Sequence, residues 1–350
     1  MGGCRRVRLL VVRRLTGVTS SEQAGAGFRF ADPVLADVVQ GGLTEVEELL
    51  RKVVQSEFHP VMETALHLVE AGGKRIRPLF TILSAQFGST WDRESVVKAA
   101  AVVELTHLAT LYHDDVMDEA TMRRGAASAN AKWDNSIAIL TGDYLFAHAS
   151  ALVADLGTAA ARIIAETFSE LVTGQMRETV GPRPGEDPVE HYLTTIAEKT
   201  GSLIATAARF GAMFSDASPA QVAALQAYGD VIGAAFQISD DVIDIASPSS
   251  ESGKTPGTDL REGVKTLPML YALADEPSSR LASLLAGPIA SDELVVEALE
   301  LLRSSSGLVR ARATLDEYAA RARAHLDALP AGTARDALAS VSDYVVTRTR

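Results

Sequence analysis

The sequence predicts an all-α fold, a helical bundle in one domain whose central helices carry the chemistry. Three observations predict it. Apolar residues recur with a helical period through almost the whole chain, and no segment alternates convincingly like a strand. The breaks between periodic segments carry helix punctuation, with Gly after ends and Pro in first turns. Hydrophobic residues make up 47% of the 350, enough for a large core and incompatible with global disorder.

Each element follows in order. Residues 1–31 read as a disordered extension, and residues 32–350 as one catalytic domain without an internal linker. The N-terminus is basic, and its Leu9-Leu10-Val11-Val12 core is too short for a secretory signal. Met1-Gly2 resembles a myristoylation start, but Arg6 stands where Ser or Thr is required. Thr44-Glu45-Val46-Glu47 reads as a capping box before a helix over 46–55. Pro60 suits the first turn of the next helix, which Gly72-Gly73 ends. Lys74 to Arg77 fall in that break, and Pro78 opens a helix to Phe87. After the turn Gly88-Ser89-Thr90, a long helix runs from Asp92 to Asp118. Further helices are expected near 134–156, 158–180, 188–214 and 219–246. Residues 247–263 form a Pro/Gly/Ser-rich loop long enough for a functional lid. Helices resume at Thr266.

The chemistry concentrates in His113-Asp114-Asp115-Val116-Met117-Asp118, closed by Arg123-Arg124. On a helix, Asp114 and Asp118 lie one turn apart on one face, where like charges repel. A divalent cation reverses the sign of that interaction. Mg²⁺ takes oxygen ligands, keeps several waters, and commonly combines one or two carboxylates with substrate phosphates. The arginines just downstream would face the phosphate end of such a substrate. One such cluster is ordinarily a solvated helix face. Here Asp240-Asp241-Val242-Ile243-Asp244 repeats the spacing at the end of a second apolar helix. Two matched carboxylate faces make a metal cluster for a polyphosphate.

A formal net charge of -12 argues against nucleic acid as partner, and the local basic groups suit a small polyanion. The single cysteine, Cys4, permits no internal disulfide and fits a reducing cytoplasm. No stretch reads as long and clean enough to span a bilayer. Alone, His107 with Glu104 one turn earlier is a core histidine, Lys74 to Arg77 a solvated turn, and Lys199 a surface lysine.

Taken together and in order, these motifs resemble the trans-isoprenyl (polyprenyl) diphosphate synthases of the long-chain bacterial type. The matching residues span 35–350. They are Gly72-Gly73-Lys74-Arg75-Ile76-Arg77-Pro78, the first acidic motif with Arg123-Arg124-Gly125, Gly142-Asp143-Tyr144-Leu145, Gly174-Gln175, Lys199-Thr200, and Phe236-Gln237 before the second motif. The resemblance implies an all-α bundle around a deep central cavity, the isoprenoid synthase type I fold, as a homodimer. It implies elongation of an allylic diphosphate by isopentenyl diphosphate, with transient membrane contact for product release. Asp114, Asp118, Asp240 and Asp244 would face three Mg²⁺ ions. Lys74, Arg77, His107 and Arg124 match the isopentenyl diphosphate site; Arg123, Lys199 and Lys254 match contacts to the allylic diphosphate. A helix kink at Lys199-Thr200-Gly201 would turn the Lys199 and Thr200 carbonyls toward an allylic cation, and Gln237 could add its amide oxygen. Two departures stand out. Ala126-Ala127 follow Gly125 where the family often has Pro, and Lys265 is shifted by one residue, which puts its diphosphate contact in doubt.

Ala109 and Thr110, five and four residues before Asp114, are small where short-chain synthases generally carry an aromatic floor. An open channel there implies a product in the heptaprenyl to decaprenyl range, suited to a quinone side chain. Two other functions share part of the pattern. A class I terpene cyclase or squalene-type synthase has the first motif but normally replaces the second with an Asn/Ser/Glu triad. A non-catalytic partner subunit tends to lose the aspartates or basic residues, all retained here.

Overall fold

Asp32 accepts the Leu35 amide at 2.7 Å and starts the first helix, α1 (Pro33–Val53). The structure, a computed structural model, describes residue 28 and residues 30–246 and 256–349. Thr44 lies inside α1 and caps nothing; its hydroxyl donates to Gln40 O one turn back at 2.9 Å. The buried stripe Leu35, Val39, Leu43, Val46 and Leu50 continues through Gly41-Gly42. Burial of that stripe outweighs a glycine cost of roughly 1 kcal/mol per residue.

α2 (His59–Glu70) ends before Gly72, and α3 (Ile76–Ser84) holds Pro78 near its start, followed by a 3₁₀ turn (Ala85–Phe87). Asp92 caps α4 (Arg93–Met117), accepting the Ser95 hydroxyl at 2.6 Å. α4 is buried on nearly every side, as suits a helix in the middle of a bundle.

A hairpin follows where no strand was expected. β1 (Met122–Arg123) pairs antiparallel with β2 (Ala126–Ala127). Arg124 and Gly125 between them both have positive φ, +53° and +78°, as a two-residue type I′ turn requires. Two-residue strands are too short to show an alternating pattern.

The chain continues through α5 (Ala129–Lys132), α6 (Asn135–Asp155), α7 (Thr158–Val180) and α8 (Pro188–Ile196). The single helix expected over 188–214 is interrupted. Ala197–Gly201 form a π-helical segment before α9 (Ser202–Met213). α10 (Pro219–Ala246) carries the second acidic motif. Then come α11 (Thr258–Glu262), α12 (Leu267–Asp275), α13 (Arg280–Leu284), α14 (Asp292–Ser304), α15 (Ser306–His325) and α16 (Thr333–Thr347).

α4 packs against α1, α3, α6 and α9; α10 packs against α9 and α15. Phe80 of α3 joins the two halves, meeting the rings of Tyr228 and Phe236 on α10. Phe28, assigned by sequence to the extension, is buried instead. Its ring lies 4.6 Å from that of Tyr344 and 6.5 Å from that of Phe236. A lone aromatic filling a slot leaves no periodic signal.

Candidate active site

The C-terminal end of α4 presents Asp114 and Asp118 one turn apart, with the Asp118 amide donating to Asp114 O at 2.8 Å. Asp115 points the other way and is wholly buried, accepting from Arg123 Nε at 2.6 Å. Arg123, expected on substrate, thus ties the hairpin to α4, and its Nη2 lies 3.9 Å from Asp118. Burial pushes the Asp114 carboxyl up to about 6; Lys199 and Arg123 oppose this, and Asp118 and Glu178 add to it. Burial also raises Asp118.

The second motif repeats this division. Asp241 is buried and accepts from Tyr192 Oη and, at 2.9 Å, from Gln237 Nε2. Burial raises its pKa, those two hydrogen bonds oppose the rise, and Asp240 and Asp244 add to it. Asp240 is half-exposed and pairs with Arg348 of the chain's end at 2.9 Å. Asp244 is largely buried, and its Oδ1 accepts the Thr258 amide at 3.3 Å, tying α10 to the start of α11.

Glu262 of α11 joins the two motifs. Its side chain is partly exposed, and its carboxyl is raised by partial burial, then by Asp118, Asp244 and Glu178, with Arg123 opposing. Carboxylates from α4, α7 and α10 therefore act on the one from α11. Sequence reasoning missed Glu178, Glu262, Tyr192 and Arg348. Only Glu178 carried a signal, since it follows Gly174-Gln175 by one turn. A Cβ on Gly174 would lie 2.5 Å from Lys199 N, so glycine lets α7 press against the π segment. Glu178 then pairs with Lys199 Nζ.

That π segment is where sequence placed a kink. The Ser202 amide reaches back to Ala197 O, so carbonyls in this turn leave the regular ladder. Thr200 Oγ1 and Gln237 Oε1 lie 3.3 Å apart, which puts the three residues expected to face a cation, Lys199, Thr200 and Gln237, on adjoining elements.

The basic group assembles beside α4. Arg124 Nη1 donates to Gly72 O and to Leu68 O, the latter at 3.2 Å. Gly73 has φ +149°, and a Cβ there would come within 2.8 Å of the Arg124 guanidinium. Arg77 lies against this group, held down to about 10 by burial, while Glu104 opposes the shift and Arg124 adds to it. Its buried Nε has no hydrogen-bond partner among the described residues. Burial holds His107 well below the usual imidazole range, and Arg77, Arg124, Arg75 and Arg123 add to that, so the ring is neutral at pH 7. Lys74 is exposed at the rim. Lys254 lies outside the described residues, and Lys265 is exposed. Of the two channel candidates, Thr110 is half-buried, while Ala109 is packed in the core with Leu105, Leu108 and Leu145.

Among the described residues, no trio of acidic, imidazole or thiolate groups closes tightly enough to hold a metal alone. The donors are all oxygens and mutually repelling, with Asp114 the more buried and Asp118 and Asp240 partly open to solvent, which fits a hard cation completed by phosphate and water.

The fold and this site define a class, the isoprenoid synthase type I fold. Residues 59–302 match the polyprenyl synthetase family, and the chain belongs to that family. It is 55% identical over 325 residues to the nonaprenyl diphosphate synthase of Mycobacterium tuberculosis, covering 92% of this chain and 97% of that one. Its structure matches geranylgeranyl pyrophosphate synthase from Corynebacterium glutamicum complexed with calcium and isoprenyl diphosphate. That match has 50% identity and a TM-score of 0.81, over 92% of this chain and 99% of the other. A decaprenyl diphosphate synthase from Rhodobacter capsulatus matches with 34% identity and a TM-score of 0.81, over 91% and 99%.

Proposed function

We propose that the chain is a trans-prenyltransferase that extends an allylic diphosphate with isopentenyl diphosphate to a long, all-trans polyprenyl diphosphate. One observation carries the reading: α4 and α10, each ending in an acidic motif, both pack against α9, and the charges of both motifs raise the Glu262 carboxyl. Nonaprenyl and decaprenyl diphosphate synthases among its relatives support the long product.

Asp114, Asp118, Asp240 and Asp244 would hold Mg²⁺, three ions with substrate present, while Asp244 Oδ1 also accepts the Thr258 amide at the α10–α11 corner. Mg²⁺, when bound, supplies positive charge to the oxygens of the departing diphosphate. The chain's own residues do the rest. Lys199 stands against the leaving group once it exchanges Glu178 for diphosphate. The oxygens of Thr200 and Gln237 face the allylic cation left behind. Lys74, Arg77, neutral His107 and Arg124 hold isopentenyl diphosphate with its double bond toward that cation. Released diphosphate takes the proton lost from the adduct, so no protein base is needed.

The same proposal includes a homodimer in the cytoplasm. Among the described residues α6 alone is long and apolar enough to cross a membrane, and only 33% of its apolar window is buried. Ile139 and Leu140 of α6 are exposed, as are Val172 and Met176 of the neighbouring α7. A second copy of this face would cover them. A quinone side chain is the fitting use of the product.

The test incubates purified protein with farnesyl diphosphate, isopentenyl diphosphate and Mg²⁺ and separates products by chromatography. A ladder of long linear prenyl diphosphates is expected. Cyclic hydrocarbons or no turnover would sink the reading, and a product stopping at geranylgeranyl would sink its chain length.

A further inference from the structure

Arg75 lies between the two residues that face substrate, Lys74 and Arg77, yet it points away from both into the protein. It is 5% exposed and holds a left-handed backbone conformation, φ +46°, which costs energy for a side chain with a Cβ. Each nitrogen of its guanidinium donates a hydrogen bond. Nε donates to Glu47 of α1, Nη2 to Val69 O of α2 at 2.9 Å, and Nη1 to Glu104 of α4 at 2.8 Å. Glu104 is 1% exposed, and its second cationic neighbour is Arg124, at 3.8 Å.

This is an expensive arrangement. Buried ion pairs often contribute little net stability, and apolar replacements of similar volume are frequently as stable. The left-handed residue adds to the cost. A stability role alone accounts poorly for such a device directly beneath a substrate subsite. Its position suggests another purpose. Arg75 and Arg124 both reach the buried Glu104, at 2.8 and 3.8 Å, and the charges of this group act on Arg77 and on neutral His107. Without that carboxylate the guanidiniums repel one another before any anion arrives. With it, Arg124 is drawn toward α4, and the turn carrying Lys74 and Arg77 is pinned at its middle residue to three helices.

We propose that the buried Arg75–Glu104 pair is a positioning element for the isopentenyl diphosphate subsite, holding Arg77 and Arg124 in place for the diphosphate. The inference rests on the function proposed above. The pair touches no substrate. It acts by setting where the contacting side chains stand, and its influence should not reach the allylic diphosphate at the acidic motifs.

The test compares wild type with Glu104→Gln, Arg75→Lys and the apolar double variant Arg75→Met/Glu104→Leu. Melting temperature, the dissociation constant of isopentenyl diphosphate by titration calorimetry without primer, and both KM values are measured. Glu104→Gln should weaken isopentenyl diphosphate binding roughly tenfold or more, as for loss of a charge-assisted hydrogen bond, with the allylic KM little changed. Arg75→Lys keeps the charge but not the fork, and should fall between Glu104→Gln and wild type. The double variant separates positioning from stability. Its melting temperature should recover toward wild type while isopentenyl diphosphate binding stays weak. Recovery of both together, equal losses for both substrates, or unchanged binding in Glu104→Gln would overturn the inference. A wild type that binds isopentenyl diphosphate but condenses nothing would overturn the functional reading alone.

Discussion

Arg348 pairs with Asp240 at 2.9 Å, so α16's C-terminal end supplies a counter-charge to the first carboxylate of the second acidic motif. The arginine is built in. It also donates to Ser239 Oγ at 2.7 Å and Phe236 O at 3.0 Å, and it lies over the rings of Phe236 and Tyr344. On the proposed function, a metal would compete with it for Asp240. Arg348→Ala should therefore bind divalent metal more tightly in the absence of substrate, by about threefold or more, while melting lower without metal. Calorimetric titration with Mg²⁺ checks this, and unchanged or weaker affinity would count against the competition.

The aspartates themselves should be indispensable. Asp114→Ala or Asp240→Ala is expected to lower turnover by on the order of 10²–10³, as for loss of one preorganised charge-stabilising group. Each variant should also lose most of the rise in melting temperature that Mg²⁺ with inorganic pyrophosphate gives the wild type. Turnover that survives excess EDTA would refute metal dependence.

Much of this was legible in the sequence, for physical reasons. The helices at 158–180 and 219–246 follow from periodicity with clear stops, and the structure places α7 and α10 there. The acidic motifs were legible because repelling charges on one apolar helix need an explanation. The division of labour inside them was only partly so. Asp115 and Asp241 become buried anchors through Arg123, Tyr192 and Gln237, and only Gln237 lies on the same helix as its aspartate. Glu262 and Arg348 are single charges far along the chain, and nothing local distinguishes them from solvated residues. The start of α1 was misread because Thr44 and Glu47 imitate a cap when the stripe before them is overlooked.

Metal binding should depend on pH. Burial lifts Asp114 to about 6, above its unfolded value. The native state thus holds this proton more tightly than the unfolded chain does. Its contribution to metal-free stability is full below the unfolded pKa and is lost as pH rises through about 6. Asp118 shifts in the same direction. Metal requires the ionised forms, so stabilisation by Mg²⁺ with pyrophosphate should grow as pH rises through that range. Melting curves with and without metal from pH 5 to 7.5 test it, with Asp114→Asn expected to flatten the trend. A metal effect constant with pH in the wild type would contradict the assignment.

Product length should answer to Thr110 and Ala109. Both precede Asp114 by about one turn of α4, some 6–7.5 Å down the axis. Thr110 is half-buried and its hydroxyl bonds back to His107 O at 2.8 Å, so a larger side chain there is expected to enter the channel that the proposed function requires. Ala109 is 1% exposed in the core between α4 and α6, so Ala109→Tyr must also displace packed neighbours. Overpacking of that kind costs about 1–3 kcal/mol. The two substitutions should therefore differ in stability and agree in product. Thr110→Phe should shift the main product toward farnesyl or geranylgeranyl diphosphate with little change in melting temperature. Ala109→Tyr should give the same shift with a lower melting temperature. Ionisation of the allylic diphosphate should persist in both, because neither touches the aspartates. A folded Thr110→Phe protein that still makes the wild-type chain length would show that the channel does not pass this face of α4.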